Sequence, residues 1–174
     1  MSSVKSPTPP ADAAETLRQA FTDVCENSFF ALVEPCSPER FAVLVKDVAV
    51  ARPGSAEWIK SSVGFTGAFA GAVEMALPAQ LAETLVTQLL GEEIECAMPE
   101  HWMFDGVGEF ANMVCGAWLT TMGSTQAFEL RPPAVTRMNA EWSPIHDAKG
   151  DDDRSHRLVI NKFPVRIRFR ATGA

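Results

Sequence analysis

The sequence predicts an α+β fold, with three long helices and about six strands that are expected to be antiparallel. Apolar residues recur at helical spacing in three segments, alternate with polar ones near the carboxyl end, and flank glycine-rich bends typical of hairpins. The 174 residues are 47% hydrophobic, which is enough apolar material for one core. We therefore expect one folded domain over residues 12–172, preceded by a flexible Pro-rich tail over residues 1–11.

The composition excludes several classes of function. The chain has 15 Lys and Arg against 22 Asp and Glu, a formal net charge of −7. Because nucleic-acid binding depends on a basic face, we expect no nucleic-acid partner. The most apolar window, residues 63–77, is too short to cross a bilayer, so we expect no membrane partner. The four cysteines form no C-x-x-C pair and the start lacks an apolar signal region, which indicates a reduced, cytoplasmic protein.

The first predicted helix follows Asp12, which stands at its N-cap, and Pro35 and Pro38 are expected to stop it. Its apolar side is formed by Leu17, Phe21, Val24, Cys25, Ser28 and Leu32. The next segment, residues 41–50, is apolar and rich in β-branched residues. It is ambiguous between a strand and a short helix, and we interpret it as a strand.

Residues 58–67 and 69–77 are predicted to form a hairpin, with Gly64, Gly67 and Gly71 allowing a bend and close backbone approach. The same glycines could suggest a phosphate-binding loop. No Lys-Ser or Lys-Thr pair follows them, and their spacing matches neither nucleotide-binding fingerprint. We therefore expect no nucleotide site in this hairpin.

A second helix is predicted from Pro78 to Gly91, which stands where a C′ glycine belongs, and a small acidic turn over residues 92–95 follows it. Further along the chain the acidic loop at residues 146–153 lacks the alternating ligands and the closing Glu of an EF-hand. We expect an exposed hairpin tip there and no metal site. Strands are predicted over residues 128–130, 134–138, 158–163 and 165–170.

The last predicted strand has the clearest alternation, with an inward apolar row of Val165, Ile167 and Phe169. The outward row consists of three cations, Arg166, Arg168 and Arg170. Such a row could bind an anionic partner. We favour the alternative that it is a solvated sheet face or a guarded sheet edge.

A third helix, predicted over residues 99–122, has two distinct faces. At about 100° per residue, four positions fall within a wedge of about 60°: Asp105, Glu109, Asn112 and Gly116. The opposite side is apolar, with Val107, Phe110, Ala111, Val114 and Trp118. The wedge is therefore the candidate site.

The chemistry available to this wedge is limited. The carboxylate of Glu109 can meet a cation on a partner, and the amide of Asn112 can orient a water molecule towards an electrophile. Gly108 and Gly116 each cost about 1 kcal/mol of helix propensity. Either another backbone packs closely against the helix or a bulky partner approaches it. On spacing alone the wedge could also be a solvated helix face.

Several of these features occur in a particular order. They are the glycine hairpin at residues 64–71, the helix that starts at Leu77-Pro78 and ends Leu89-Leu90-Gly91, the Asp105-x-x-x-Glu109-x-x-Asn112-x-x-x-Gly116 run, and Arg131-Pro132-Pro133. This order resembles the CheX branch of the CheC/CheX/FliY chemotaxis phosphatases over about residues 12–170. Only the run within the third helix is specific. The other features support the resemblance by position.

The resemblance implies a phosphatase that hydrolyses the aspartyl phosphate of a phosphorylated CheY-like response regulator. Glu109 would engage a lysine of the partner and Asn112 would position the water, with Asp105 and Gly116 as supporting motif positions. No cofactor would be bound by this chain, and Mg²⁺ is expected on the response regulator. The resemblance also implies a CheC/CheX-like α+β fold whose three long helices pack against an antiparallel sheet, and a homodimer joined through sheet edges.

Alternatives remain open. The same scaffold could be a non-catalytic module that binds a response regulator, as in flagellar switch proteins. A stand-alone metal hydrolase is poorly supported, because His101, His146 and His156 have no ligand spacing. The first helix carries Glu26 next to Asn27, and adjacent residues cannot share a helix face, so we expect one site per chain.

Overall fold

The computed structural model describes residues 9–51, 57–91, 97–124, 126–139, 141–147 and 154–171. Within these ranges it confirms the α+β class, with four helices and a seven-stranded antiparallel sheet. In chain order the elements are α1 (Ala13–Phe29), β1 (Val33–Pro35), α2 (Pro38–Ala51), β2 (Trp58–Thr66), β3 (Gly71–Pro78), α3 (Ala79–Leu90), α4 (Glu100–Thr121), β4 (Glu129–Leu130), β5 (Ala134–Met138), β6 (Ser155–Ile160) and β7 (Phe163–Ala171).

The strands of the sheet lie in the order β1-β6-β7-β3-β2-β4, and β5 also pairs with β2. The predicted hairpin is confirmed as β2 and β3, with Val63 opposite Val73. β4 pairs with the end of β2 and β5 with its beginning. These two short strands therefore act as one edge strand that is interrupted at Pro132-Pro133, where a ladder hydrogen bond cannot be donated.

The main core lies between one face of the sheet and helices α1, α3 and α4. The ring of Phe110 on α4 makes edge contacts with Phe21 and Phe29 of α1, at centroid distances of 5.7 and 5.1 Å. The indole Nε1 of Trp118 donates a hydrogen bond to the Ala13 carbonyl at 3.0 Å. Burying each such side chain contributes about 1.5–3 kcal/mol. The apolar side predicted for the third helix is confirmed, since all five of its residues are buried.

The predicted strand over residues 41–50 is wrong, because these residues form α2. The hydroxyl of Ser37 accepts a hydrogen bond from the Arg40 amide at 3.2 Å, as an N-cap residue does, and Pro38 occupies the first helical position. Phe41 and Val45 are buried one turn apart. The helical period with this N-terminal cap outweighs the β-branched composition of the segment.

α2 and residues 142–145 cover part of the second face of the sheet. A small apolar cluster forms there from Phe41, Val45, Trp58 and Ala76, with Trp142 and Ile145 packed against it. The rings of Trp58 and Trp142 make an edge contact at 6.0 Å. The sheet is therefore covered on both faces at this end.

The interpretation of the arginine row as a guarded edge is wrong, because β7 lies between β3 and β6, and a solvated face is found only at Arg170. Arg166 is buried and donates to the Pro144 carbonyl at 2.7 Å. Arg168 donates to the buried carboxylate of Glu74 at 2.6 Å, and Arg170 reaches the same carboxylate at 3.1 Å. Asp147, from the predicted hairpin tip, accepts from Arg168 at 3.3 Å. These carboxylates come from distant parts of the chain.

Some predicted boundaries need correction. The strand predicted over residues 158–163 ends at Ile160, because Asn161 and Lys162 have positive φ and form the two-residue turn between β6 and β7. α1 ends at Phe29, before the predicted stops Pro35 and Pro38, so Leu32 lies beyond it, and Asp12 precedes the helix without a side-chain cap hydrogen bond. The expectations for residues 1–8 of the tail, the acidic turn at 92–95 and the loop at 148–153 lie outside the described residues.

The other helix predictions are confirmed. α3 ends at Leu90, and Gly91 adopts the left-handed conformation with a φ of 67°. The third predicted helix is α4, which Gly123 follows with a φ of 59°. No helix within the described ranges is long and apolar enough to cross a membrane.

Candidate functional site

Helix α4 is held against the edge of the sheet at two points. At its first turn, Arg137 of β5 donates a hydrogen bond from Nε to Glu100 at 2.9 Å. Two turns further on, a methyl group placed at Gly108 would lie 3.0 Å from Pro133 Cγ. The Pro132-Pro133 break in the edge strand therefore packs directly on the glycine, and the polar wedge of α4 lies beside that contact.

Gly106 plays the matching role on the other side of α4. A methyl group at this position would lie 2.6 Å from Val86 Cγ2 and 3.1 Å from Val86 Cβ. Val86 belongs to α3, so the absence of a side chain at Gly106 lets α3 and α4 approach closely. Sequence analysis missed this glycine because the two packing partners are far apart in the chain.

The four residues of the predicted wedge lie together on one outward stripe of α4. Asp105 and Glu109 are exposed, whereas Asn112 and Gly116 are partly exposed. A methyl group placed at Gly116 would meet no atom within 4 Å. Of the two explanations for glycine in this helix, close packing thus applies to Gly108, and open access to the surface applies to Gly116.

Among the residues that the structure describes, no side chain engages the polar groups of this stripe. Within the part of the chain that the structure describes, the side chains of Asp105, Glu109 and Asn112 make no hydrogen bond or ion pair. By contrast, the carboxylate of Glu74 on the second face of the sheet accepts hydrogen bonds from two arginines. The Asn112 amide and the two carboxylates therefore have their hydrogen-bonding capacity free for an outside partner.

The stripe stands between two surface grooves. The β5-side groove is lined by Phe104, Asp105, Gly108, Glu109, Asn112, Pro133 and Val135. The α3-side groove is lined by Leu89, Leu90, Trp102, Asp105, Gly106 and Glu109. Asp105 and Glu109 belong to both, and Asn112 lines only the first. No lysine, arginine or histidine is among the described residues that line either groove, so both are acidic.

This arrangement can position a molecule and pair with a cation. Among the described residues that line the two grooves there is no Ser, Cys, His or Lys, so the carboxylates of Asp105 and Glu109 are the reactive groups among them. Cys115 of α4 is buried, and that burial raises its pKa to about 12, which keeps the thiol protonated and unreactive. Among the described residues no group of three or more His, Cys, Asp or Glu could hold a metal ion.

The first helix offers no second stripe of this kind. Glu26 and Asn27 are both exposed on α1, but adjacent helical residues are about 100° apart. A carboxylate and an amide in that arrangement point away from each other. Glu109 and Asn112, three residues apart, face the same side.

Comparison with known proteins connects this architecture to one family. The family model described as chemotaxis phosphatase CheX matches residues 59–146, a range that includes all of α4. No curated protein sequence matches the chain at a significant level.

Solved structures share the fold at low sequence identity. CheX from Vibrio vulnificus is 16% identical, with a TM-score of 0.63, over 93% of this chain and 97% of that one. The CheX-CheY-BeF3-Mg²⁺ complex from Borrelia burgdorferi is 14% identical, with a TM-score of 0.61, over 94% of this chain and 100% of that one. FliY from Thermotoga maritima is 16% identical, with a TM-score of 0.52, over 95% of this chain and 91% of that one. At such identities the likeness shows the fold.

The close approach of α3 and α4 at Gly106 can be tested by stability. We expect Gly106→Ala to lower the free energy of unfolding by about 1–2 kcal/mol, because overpacking against Val86 outweighs the gain of about 1 kcal/mol in helix propensity. Thermal and urea unfolding measure the change. The matched control is Gly116→Ala, which should gain up to about 1 kcal/mol, since its methyl group enters open space. Equal effects of the two substitutions would contradict the packing at Gly106.

Proposed function

The chain belongs to the CheX family of chemotaxis phosphatases, and we propose that it hydrolyses the aspartyl phosphate of a CheY-like response regulator. One observation carries the proposal. Glu109 and Asn112 stand about one turn apart on an outward stripe of α4, and neither makes a hydrogen bond within the described residues. An amide and a carboxylate presented in this way are suited to entering the active site of another protein.

In this proposal Asn112 acts by positioning. Its amide both accepts and donates hydrogen bonds, so it can hold a water oxygen in line with the phosphorus atom. The water oxygen bonds to phosphorus, the bond to the aspartyl oxygen breaks, and inorganic phosphate leaves with the aspartate carboxylate restored. An amide is a poor acid or base, so the rate gain comes from orientation and from excluding bulk water, which can contribute several kcal/mol.

Glu109 docks the partner in this proposal. Its carboxylate pairs with a lysine beside the phosphorylated aspartate, and the distance of about 5–6 Å between Cβ atoms three residues apart sets how far the lysine and the water lie from each other. The lack of cations in both grooves supports an outside cation, since no described internal residue competes for the carboxylate.

The partner is proposed to bring its own metal. The Borrelia structure is a complex of CheX with CheY, BeF3 and Mg²⁺, which supports a CheY-like partner for a chain with this fold. Mg²⁺ on that partner would stabilise charge on the phosphoryl group. The acidic stripe of α4 would then supply only geometry and one docking charge.

A non-catalytic module that binds a response regulator is the second candidate, because the exposed carboxylate of Glu109 could dock a partner without any catalytic step. Such a module would need the docking carboxylate but not the amide. Phosphate release from a phosphorylated receiver domain separates the two functions, because a binding module would leave the decay rate unchanged.

Removal of the Asn112 amide tests catalysis. We expect Asn112→Ala to lower assisted dephosphorylation by about 100-fold or more, because the water loses its orienting group. Single-turnover phosphate release from a phosphorylated CheY-like receiver measures the rate. Asn27→Ala on α1 is the matched control and should keep the wild-type rate. Full activity in Asn112→Ala would overturn the proposed role of the amide.

Removal of the Glu109 carboxylate tests docking. We expect Glu109→Ala to raise KM for the phosphorylated receiver about 10-fold, with a smaller loss in kcat, because the ion pair contributes to complex formation. The difference in KM between the wild type and Glu109→Ala should shrink as salt is added, since screening weakens the ion pair that only the wild type can make. Glu26→Ala on α1 serves as control. An unchanged KM would argue against a docking role.

We also propose that the chain forms a homodimer through the β1 edge of the sheet. In the described part of the chain β1 pairs only with β6, so its other edge lacks a partner. Phe30 and Leu32 precede it with 91% and 64% of their surface exposed. The opposite edge is interrupted by prolines and borders the groove that contains Asn112. A dimer through β1 would leave that groove open.

The dimer can be tested by removing this apolar surface. We expect Phe30→Asn with Leu32→Ser to shift the protein from dimer to monomer in sedimentation equilibrium, while phosphatase activity per chain is kept. Asn suits the left-handed conformation at position 30, where φ is 50°, so the fold should tolerate the change. Val50→Ser, at an exposed position of α2, is the control. A wild-type protein that is monomeric at tens of micromolar would refute the proposal.

A further inference from the structure

The α3-side groove exposes three large apolar side chains beside the candidate site. Trp102, Leu90 and Leu89 are 44%, 47% and 37% exposed, and together they line this groove. Large apolar side chains clustered beside charged residues typically mark an interaction surface. Neither the water-positioning amide nor the docking carboxylate accounts for this cluster.

The groove is continuous with the candidate site along α4. The groove residues of α4 lie on one side of the helix, because Asp105, Gly106 and Glu109 come three, four and seven positions after Trp102. Glu109 is the last of them, and it also lines the β5-side groove with Asn112. A molecule that covers Glu109 therefore lies next to the exposed indole.

The packing of α3 makes the groove. Because Gly106 lets Val86 approach α4, the end of α3 lies close enough for Leu89 and Leu90 to form the opposite wall. The floor at Gly106 has no side chain that would fill the space. The groove is thus built by the fold rather than left by a single exposed residue.

We propose that the α3-side groove binds an apolar side chain of the receiver domain whose lysine meets Glu109. This inference rests on the proposed function and extends it to how the partner is selected. Two helical turns separate Trp102 from Glu109, about 10 Å at 1.5 Å per residue. The receiver that fits has an apolar side chain about that far from its lysine. Receivers with a charged residue there bind more weakly.

Charge favours a receiver over a second copy of this chain. Asp105 and Glu109 line the groove, with no cation among the described lining residues. A symmetric pair of chains joined at this surface would bring the same carboxylates together. A partner that carries a lysine neutralises them instead.

Truncation of the indole tests the groove. The probe is each CheY-type receiver of the source organism, loaded with beryllofluoride and Mg²⁺, together with its phosphorylated form for kinetics. We expect Trp102→Ala to raise Kd and KM about 10-fold or more with kcat changed less than about 2-fold, because a buried Trp is a frequent hot spot of binding. The control is Val43→Ala, at an exposed position of α2, which should change none of these values.

A second measurement does not depend on turnover. Trp58 and Trp118 are buried and Trp142 is partly buried, so Trp102, which is 44% exposed, is the tryptophan most open to acrylamide quenching. The loaded receiver should protect that fluorescence, including in Asn112→Ala, which still binds. Protection that is the same in Trp102→Phe would show that the signal comes from another tryptophan and would overturn the inference.

The outcomes separate the two proposals. A wild-type chain that dephosphorylates a receiver, with Trp102→Ala equal to it in Kd and KM, overturns the groove and leaves the phosphatase intact. A chain that binds a receiver through Trp102 but never accelerates phosphate release overturns the phosphatase and supports the groove as a docking surface. A Trp102→Ala variant that changes only the oligomeric state assigns the groove to a second copy and overturns the inference.

Discussion

The structure depends above all on how closely helix α4 is packed on both of its flanks. The side chain of Val86, on α3, packs directly against Gly106, and Pro133, at the break in the edge strand, packs directly against Gly108. Neither contact could form if the glycine carried a methyl group without some movement of its neighbour. Both glycines lower helix propensity, and the tertiary contacts made across them compensate for that loss. Their packing holds the α4 stripe in a fixed position between two grooves.

This packing explains why the stripe is both rigid and open. The buried side of α4 is tied to α1 by the Phe110 ring contacts and the Trp118 hydrogen bond, so the helix cannot rotate without breaking the core. Among the described residues, the side chains of Glu109 and Asn112 make no hydrogen bond or ion pair that would have to be broken before a partner binds. A positioning role requires both properties, since a water-orienting amide is effective only when its own location is fixed.

The two faces of the sheet have different tasks. The helical face builds the core and presents the stripe. On the second face the carboxylates of Glu74 and Asp147 pair with arginines of β7. Trp58 and Trp142 pack against each other there, in the apolar cluster that includes residues of α2. Charges that are paired in this way contribute to the local fold and are not free for a ligand. Among the described residues, Asp105, Glu109 and Asn112 on α4 have no such partner.

Local periodicity determined which residues of α4 face outward and which face the core, because the helical period depends only on neighbouring residues. It could not determine that residues 41–50 form a helix, since the capping hydroxyl of Ser37 and the burial of Phe41 outweigh β-branched composition. The pairing of Arg168 with Glu74, and the groove between Trp102 and Leu90, join residues distant in the chain. Those features were decided only by the tertiary structure, because they depend on which surfaces come together after the elements have formed.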